Sequence, residues 1–241
     1  MCAEPHASPV PDRRTSLESP RLVVTDLGQR GVRLIVDALE ANYHVTALGE
    51  DAGWIREVVR GLSANDWAAG VLRRAMRRGR CVITGDSVAC AGLGVAICPL
   101  SAAAPETDAE IAAAALAPYL RAGALVILEG DTRLRQAAEV FSATAELLTP
   151  LQVGRDVSLG YVMEDIELPG CVVSGVDPRS ADRTEEFYRG LNRSVSAVGT
   201  FETAELAIAV RNALRAQAED GAAATMIAAS GRHPSSPGRP R

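Results

Sequence analysis

The sequence contains no lysine, so all 25 of its basic residues are arginines. That absence excludes a Schiff-base lysine, a phosphate-loop lysine and a lysine general base. Histidine is nearly as scarce. His6 and His233 lie in Pro/Ser-rich ends and His44 precedes an apolar run, so a Ser/His/Asp triad has no evident base. The five cysteines, Cys2, Cys81, Cys90, Cys98 and Cys171, are odd in number and widely spaced, with no CxxC pair or Cys/His cluster. Neither a disulfide framework nor a metal site is expected from them, and the four in apolar segments read as small hydrophobes. No run of about eighteen uncharged apolar residues occurs, and the first twenty residues are Pro-rich and charged rather than a basic head before an apolar stretch. The chain is therefore expected in the cytoplasm, away from membranes. A formal charge of −5 with a sequence pI near 5.3 provides no basic footprint for nucleic acid.

What is present is 241 residues with 47% hydrophobic content, enough for one sizeable core. Apolar runs and helical stretches alternate. Strands are expected at 21–25 (RLVVT), 44–48 (HVTAL), 81–85 (CVITG), 94–100 (GVAICPL) and 124–130 (ALVILEG), then near 157–161, 171–174 and 194–198. Helices are expected at about 31–42, 52–78, 107–120, 134–147, 178–191 and 203–218, with Thr107 and Asp108 as a helix start and Gly123 as a stop. Within the second of these, RRAMRRGR at 73–80 reads as a solvated helix end, with an anion site as the alternative. Continuous apolar strands joined by helical crossovers argue an α/β, Rossmann-like, doubly wound parallel sheet. The expected organisation is a disordered 1–20, the Rossmann-like domain at 21–200, a helix at 201–218 and a disordered tail at 219–241.

In such sheets ligands bind beyond the carboxyl ends of the strands, where the strand order reverses. The relevant strand ends are 26–31, 49–51, 98–101 and 129–132. A dinucleotide fold places GxGxxG after its first strand, and this chain reads DLGQRG there. Gly28 and Gly31 take the second and third glycine positions, while Asp26 takes the first and brings a carboxylate that crowds the turn and repels a pyrophosphate. Arg30 and Arg33 are candidates to offset it. The acid that holds the adenosine ribose should end the second strand, and Glu50 and Asp51 follow one or two places late, so they also read as surface acids at a helix start. Candidate cofactor contacts are Asp26, Gly28, Gly31, Glu50, Cys98 and Pro99, with NAD as the cofactor if one is bound. Trp54, Trp67, Phe141, Phe187 and Tyr188 are expected in the core or an interface.

Taken in order, these segments resemble the N-terminal domain of the UDP-glucose/GDP-mannose dehydrogenase family, from about Arg21 to Asn212. RLVVTDLGQRGVRL is similar to that family's opening strand and glycine turn, AICPLS to its Cys-Val-Pro-Thr-Pro strand end, and LAPYLRAGALVILEGDT to its helix and strand ending in Glu-Ser-Thr. VSLGYVMED resembles its Tyr-Ser-Pro-Glu segment, VVSGVDPRSADRTEEFY its next strand and helix, and TAELAIAVRNA the start of its long central helix. The resemblance implies a nicotinamide-dependent oxidation of a nucleotide sugar's primary alcohol to an acid through a cysteine thioester. Glu129 and Glu164 match the pattern, and Asn212 is kept. The central-helix lysine, however, falls on Ile208, the Ser-Thr after the first glutamate becomes Gly130 and Asp131, and the Ser-Pro before the second becomes Val162 and Met163. The family's C-terminal domain, with its nucleophilic cysteine, has no counterpart here, so the full alcohol-to-acid oxidation is not expected of this chain alone.

Three readings stay open. The first is an oxidoreductase that keeps NAD and acts on a small substrate. The second is a cofactor-free cyclase, isomerase or lyase of specialised metabolism, using Glu129, Asp131, Tyr161 and Glu164 as acid/base groups converging over the crevice. The third is a non-catalytic partner of a complete dehydrogenase. A homodimer through the apolar helix from Thr203 fits all three.

Overall fold

A computed structural model describes residues 21–26, 28–49, 67–130, 133–164 and 170–206, together with Ala209, Val210, Ala213 and Gln217. The two ends expected to be disordered, the first half of the helical stretch from residue 52, Trp54, Glu50, Asp131, Ile208 and Asn212 lie outside the described residues.

Eight strands form one sheet: β1 (Arg21–Val24), β2 (His44–Leu48), β3 (Cys81–Thr84), β4 (Val95–Pro99), β5 (Leu125–Glu129), β6 (Ser158–Glu164), β7 (Cys171–Gly175) and β8 (Val195–Thr200). Their spatial order is β3-β2-β1-β4-β5-β6-β7-β8. The first six strands are parallel and reproduce the 3-2-1-4-5-6 order of a doubly wound dinucleotide fold. The β6–β7 pair departs from an all-parallel sheet: it is antiparallel, with Glu164 opposite Cys171. Only six residues separate these two along the chain, fewer than a helical crossover between parallel neighbours requires. Strand β8 is parallel to β7 again because a full helix joins them.

Five helices, α1 (Gln29–Glu40), α2 (Trp67–Arg77), α3 (Pro105–Leu116), α4 (Leu134–Leu148) and α5 (Pro178–Gly190), cover the two faces. One face packs Leu34, Ile35, Leu39, Leu72, Phe187 and Tyr188 from α1, α2 and α5 against Leu22, Val24, Ile97 and Ile127. The other packs Ala112, Leu116, Ala138 and Phe141 from α3 and α4, with Phe201 and Ala204, against Val23, Cys98, Leu128 and Tyr161. Burial on both faces is what makes the strands continuous apolar runs rather than alternating ones. Trp67, expected in the core or an interface, stands first in α2 and is 61% exposed.

Helix α3 starts at Pro105, earlier than Thr107 and Asp108 suggested. Proline at the first helical position costs nothing, because its missing N–H would have no partner there in any case. Asp108 instead accepts the Ser101 N–H at 2.6 Å and ties down the loop after β4. The last helix is helical from 201 in the described residues, slightly before Thr203. Its first turn is anchored: Phe201 and Ala204 are buried, and the Glu205 carboxylate accepts the Arg135 N–H at the start of α4 at 3.0 Å. Leu206 and Val210 point outward. Of the arginine run at 73–80, Arg74 and Arg77 lie in the last turn of α2, while Arg80 donates to the Leu39 carbonyl at 2.7 Å and so caps the end of α1.

Close helix–strand packing depends on glycine where backbone meets backbone, at Gly31 and Gly175. A Cβ on Gly31 would stand 2.0 Å from the Asp26 carbonyl oxygen, and one on Gly175 would stand 2.4 Å from the Ala181 amide nitrogen. Only glycine lets α1 and α5 lie this near the strand ends.

Candidate functional site

The strand order reverses between β1 and β4, and a cavity of about 750 Å³ opens there, at the carboxyl ends of the strands. Thr25, Asp26 and Arg30 contribute from the β1–α1 turn, Leu48 and Gly49 from β2, Gly85 and Ser87 from beyond β3, and Pro99, Leu100 and Ser101 from β4. Asp108, Ile111 and Ala112 close it from α3.

The glycine turn shows its parts separately. Gly31 plays the helix-packing role of the third glycine, since a Cβ there would meet the Asp26 carbonyl oxygen at 2.0 Å. At Gly28 the Asp26 carboxylate folds back over the turn: Oδ1 accepts the Gly28 N–H at 2.8 Å, and Oδ2 lies 2.9 Å from where a Cβ on Gly28 would be. The open side of the second glycine is thus occupied by the chain's own carboxylate. Arg30 lines the crevice, whereas Arg33 is exposed. Gly49 occupies the end of β2, where a ribose-binding acid would sit.

Pro99 lines the crevice, while Cys98 is fully buried on the α3/α4 face, as the alternation of a strand requires. Burial pushes its thiol up to about 12, only partly offset by a hydrogen bond with Thr25. Cys171 is likewise pushed up to about 12, and Cys81 and Cys90 to about 11, in each case chiefly by burial. None of these four is a ready thiolate nucleophile.

Glu129 and Tyr161 do not converge over the crevice, and Asp131 and the Glu164 side chain lie outside the described residues. Glu129 and Tyr161 sit on neighbouring strands, but the register pairs Leu128 with Tyr161 and Glu129 with Val162. Period-2 alternation therefore sends Tyr161 to the α3/α4 face and Glu129 to the α1/α5 face. Tyr161 is buried with its ring edge-on to Phe201 at 6.2 Å. Glu164 ends β6, opposite Cys171.

Glu129 is fully buried at the end of β5. Its Oε2 accepts from the Tyr188 hydroxyl at 3.1 Å, and its Oε1 has no hydrogen-bond partner among the described residues. Burial raises its pKa above the ordinary carboxylate value, against the Tyr188 hydrogen bond and the positive charges of Arg193 and Arg30, which pull it down. Burial thus shifts Glu129 toward its protonated form relative to an exposed glutamate. Sequence reasoning missed the rest of this cluster: Tyr188, itself fully buried, lies under the Arg193 guanidinium at 6.0 Å, and Arg193 pairs with Asp37 of α1. Asp37 and Arg193 are 156 residues apart, so no local pattern announces the pair. Thr25, Ser101 and Asp108 were also not singled out as lining residues, although the strand-end segment 98–101 holds Ser101. Among the described residues, no three His, Cys, Asp or Glu side chains gather to hold a metal, and no helix is long and apolar enough to cross a membrane.

No family model matches the chain. A UDP-N-acetyl-D-mannosamine dehydrogenase from Escherichia coli K12 is 32% identical over 125 residues, 45% of this chain and 30% of that protein. The solved UDP-D-ManNAc dehydrogenase of Pyrococcus horikoshii superposes with a TM-score of 0.69 at 21% identity, covering 81% of this chain and 50% of that one. The GDP-mannose dehydrogenase of Pseudomonas aeruginosa gives 0.65 at 19%, covering 82% and 50%. The chain resembles the nucleotide-sugar dehydrogenases. It shares their fold across most of its described length, and it spans about half the length of these solved structures. This dehydrogenase-like Rossmann protein thus combines that fold with a crevice whose glycine turn carries an acid.

Proposed function

We propose that the protein is a nicotinamide-dinucleotide-linked oxidoreductase acting on a small substrate in the β1/β4 crevice, with a reaction simpler than a full alcohol-to-acid oxidation. The observation that carries this reading is Gly31, where an added Cβ would meet the Asp26 carbonyl oxygen at 2.0 Å, the close helix–strand packing of a dinucleotide turn at the switch point where such ligands bind. Likeness to UDP-N-acetyl-D-mannosamine dehydrogenase over 45% of the chain supports it. The fit to the cofactor is partial: the crevice, Gly28, Gly31 and Pro99 suit a dinucleotide, and Asp26 does not, so no hydride step is assigned here. The test is calorimetric titration of the full chain with NAD and NADH; micromolar binding supports the reading, and absence of binding by the wild-type chain overturns it.

The folded-back Asp26 carboxylate favours a second reading, a cofactor-free enzyme in the same crevice. Its acid/base groups would be Asp26, Asp108 and any carboxylate supplied by Asp131 or Glu164, rather than Tyr161 or the enclosed Glu129. Under either reading the chain pairs with a second copy through the helix from 201, whose Leu206 and Val210 are exposed beyond its anchored first turn. Light scattering that returns a monomer at micromolar concentration overturns the pairing.

A further inference from the structure

We propose that the Asp26 carboxylate is a built-in occupant of the phosphate seat, so that a dinucleotide binds only by displacing it and with weakened affinity, whereas a phosphate-free nucleoside binds without that cost. The inference rests on the reading of the crevice as a nucleotide site and concerns which part of a nucleotide it accepts.

Three observations converge on it. The amide that a dinucleotide turn offers to an incoming pyrophosphate is the one Asp26 Oδ1 already holds, at 2.8 Å from the Gly28 nitrogen. The second glycine of such a turn exists to admit phosphate close to the backbone, and the space above Gly28 is filled by Oδ2, 2.9 Å from an added Cβ. The charge of the lining also opposes phosphate. Asp26 and Asp108 are acidic and Arg30 alone is basic among the described lining residues, and Asp108 is committed to the Ser101 N–H at 2.6 Å. A pyrophosphate would bring its charge against a described lining that already carries one more acid than base.

The remaining walls suit a neutral nucleoside. Leu48, Pro99, Leu100 and Ile111 present apolar surface, and Thr25 and Ser101 add polar groups for sugar hydroxyls. A ligand without phosphate leaves the Asp26–Gly28 hydrogen bond intact; a dinucleotide must displace it.

The experiment is calorimetry of wild type, Asp26→Asn and Asp26→Gly with NADH and with adenosine. Asn keeps the shape and removes the charge, whereas Gly empties the seat. NADH should bind at least about tenfold tighter to Asp26→Gly than to wild type, equivalent to about 1.4 kcal/mol, with a smaller gain for Asp26→Asn and adenosine affinity changed less than about twofold. Should NADH bind no tighter to either variant, both folded by circular dichroism, the inference is overturned. NADH binding by the variants but not by wild type upholds it and refutes the oxidoreductase reading. Tight wild-type binding with no gain in the variants does the reverse, and no binding of either ligand to any of the three proteins overturns both.

Discussion

Replacing Gly31 by alanine sets helix propensity against packing, and the structure decides which should win. In an exposed helix interior the change would stabilise by about 1 kcal/mol, because glycine loses more backbone freedom on folding. Here the added Cβ would lie 2.0 Å from the Asp26 carbonyl oxygen and 2.7 Å from its carbonyl carbon, whereas ordinary contacts lie at about 3.5 Å. Both neighbours are backbone at the end of a buried strand, so no side chain can swing aside. Helix α1 must retreat from β1 by roughly 1 Å or more, loosening the layer where Leu34 and Ile35 pack on Leu22 and Val24. Overpacking of this kind costs about 1–3 kcal/mol. Taking the upper part of that range, because backbone must move, and subtracting the propensity gain leaves a net loss of about 2 kcal/mol. That corresponds to a fall in Tm of about 4–8 °C for a domain of this size. The assay is urea denaturation followed by far-UV circular dichroism, with Gly190→Ala as control. An added Cβ on Gly190, at the end of α5, meets nothing within 4 Å, so that variant should be neutral or slightly stabilised. Equal or higher stability of Gly31→Ala would refute the packing argument and remove the main support for a dinucleotide-type turn.

Glu129→Gln tests the raised pKa of the buried carboxyl. Because burial raises the folded-state pKa above the ordinary 4.5, the folded chain keeps a proton that the unfolded chain releases, so this group's contribution to stability declines as pH rises from about 4.5 until the folded carboxyl itself ionises. Denaturation at pH 5 and pH 7 should show wild type losing stability relative to Glu129→Gln; parallel profiles contradict it. Tyr188→Phe strips the one described partner of Glu129 and should cost about 1–3 kcal/mol in the same assay; a loss below about 0.5 kcal/mol would mean that the hydroxyl contributes nothing there. Arg193→Ala, which abandons the largely buried Asp37, should cost several times more than Arg189→Ala, whose i,i+4 pair with Glu185 is worth about 0.3–0.5 kcal/mol; equal losses would refute the ranking. Peptide mapping after brief iodoacetamide treatment of the native protein at pH 8 should find Cys81, Cys90, Cys98 and Cys171 unmodified, since all are buried with raised pKa values; rapid labelling of Cys98 would contradict its placement under the sheet.

Much of the fold was legible because its signals are local. The runs at 94–100 and 124–130 are too apolar for a one-sided sheet, and a helix separates each from the next strand, so a parallel sheet was expected and the strand-end rule pointed to the segments around the crevice. The antiparallel β7 was not foreseen, because the sense of a short connection depends on what the next segment pairs with rather than on its own pattern. The candidate site was legible only by position. Strand-end arithmetic correctly placed Asp26 and Pro99 at the crevice but could not say which face Cys98, Glu129 and Tyr161 would take, because one step in β-register exchanges the faces.

By itself, then, the sequence determined the alternation of strand and helix, the glycine turn after β1 and the absence of lysine and histidine chemistry, all of which are properties of short windows or of composition. Only the tertiary structure decided that the Asp26 carboxylate closes over Gly28, that Glu129 meets Tyr188 beneath the crevice while Tyr161 turns away, and that Arg193 reaches Asp37. Those outcomes depend on distances between residues far apart along the chain, which are set by strand register and helix packing rather than by any residue's neighbours in sequence.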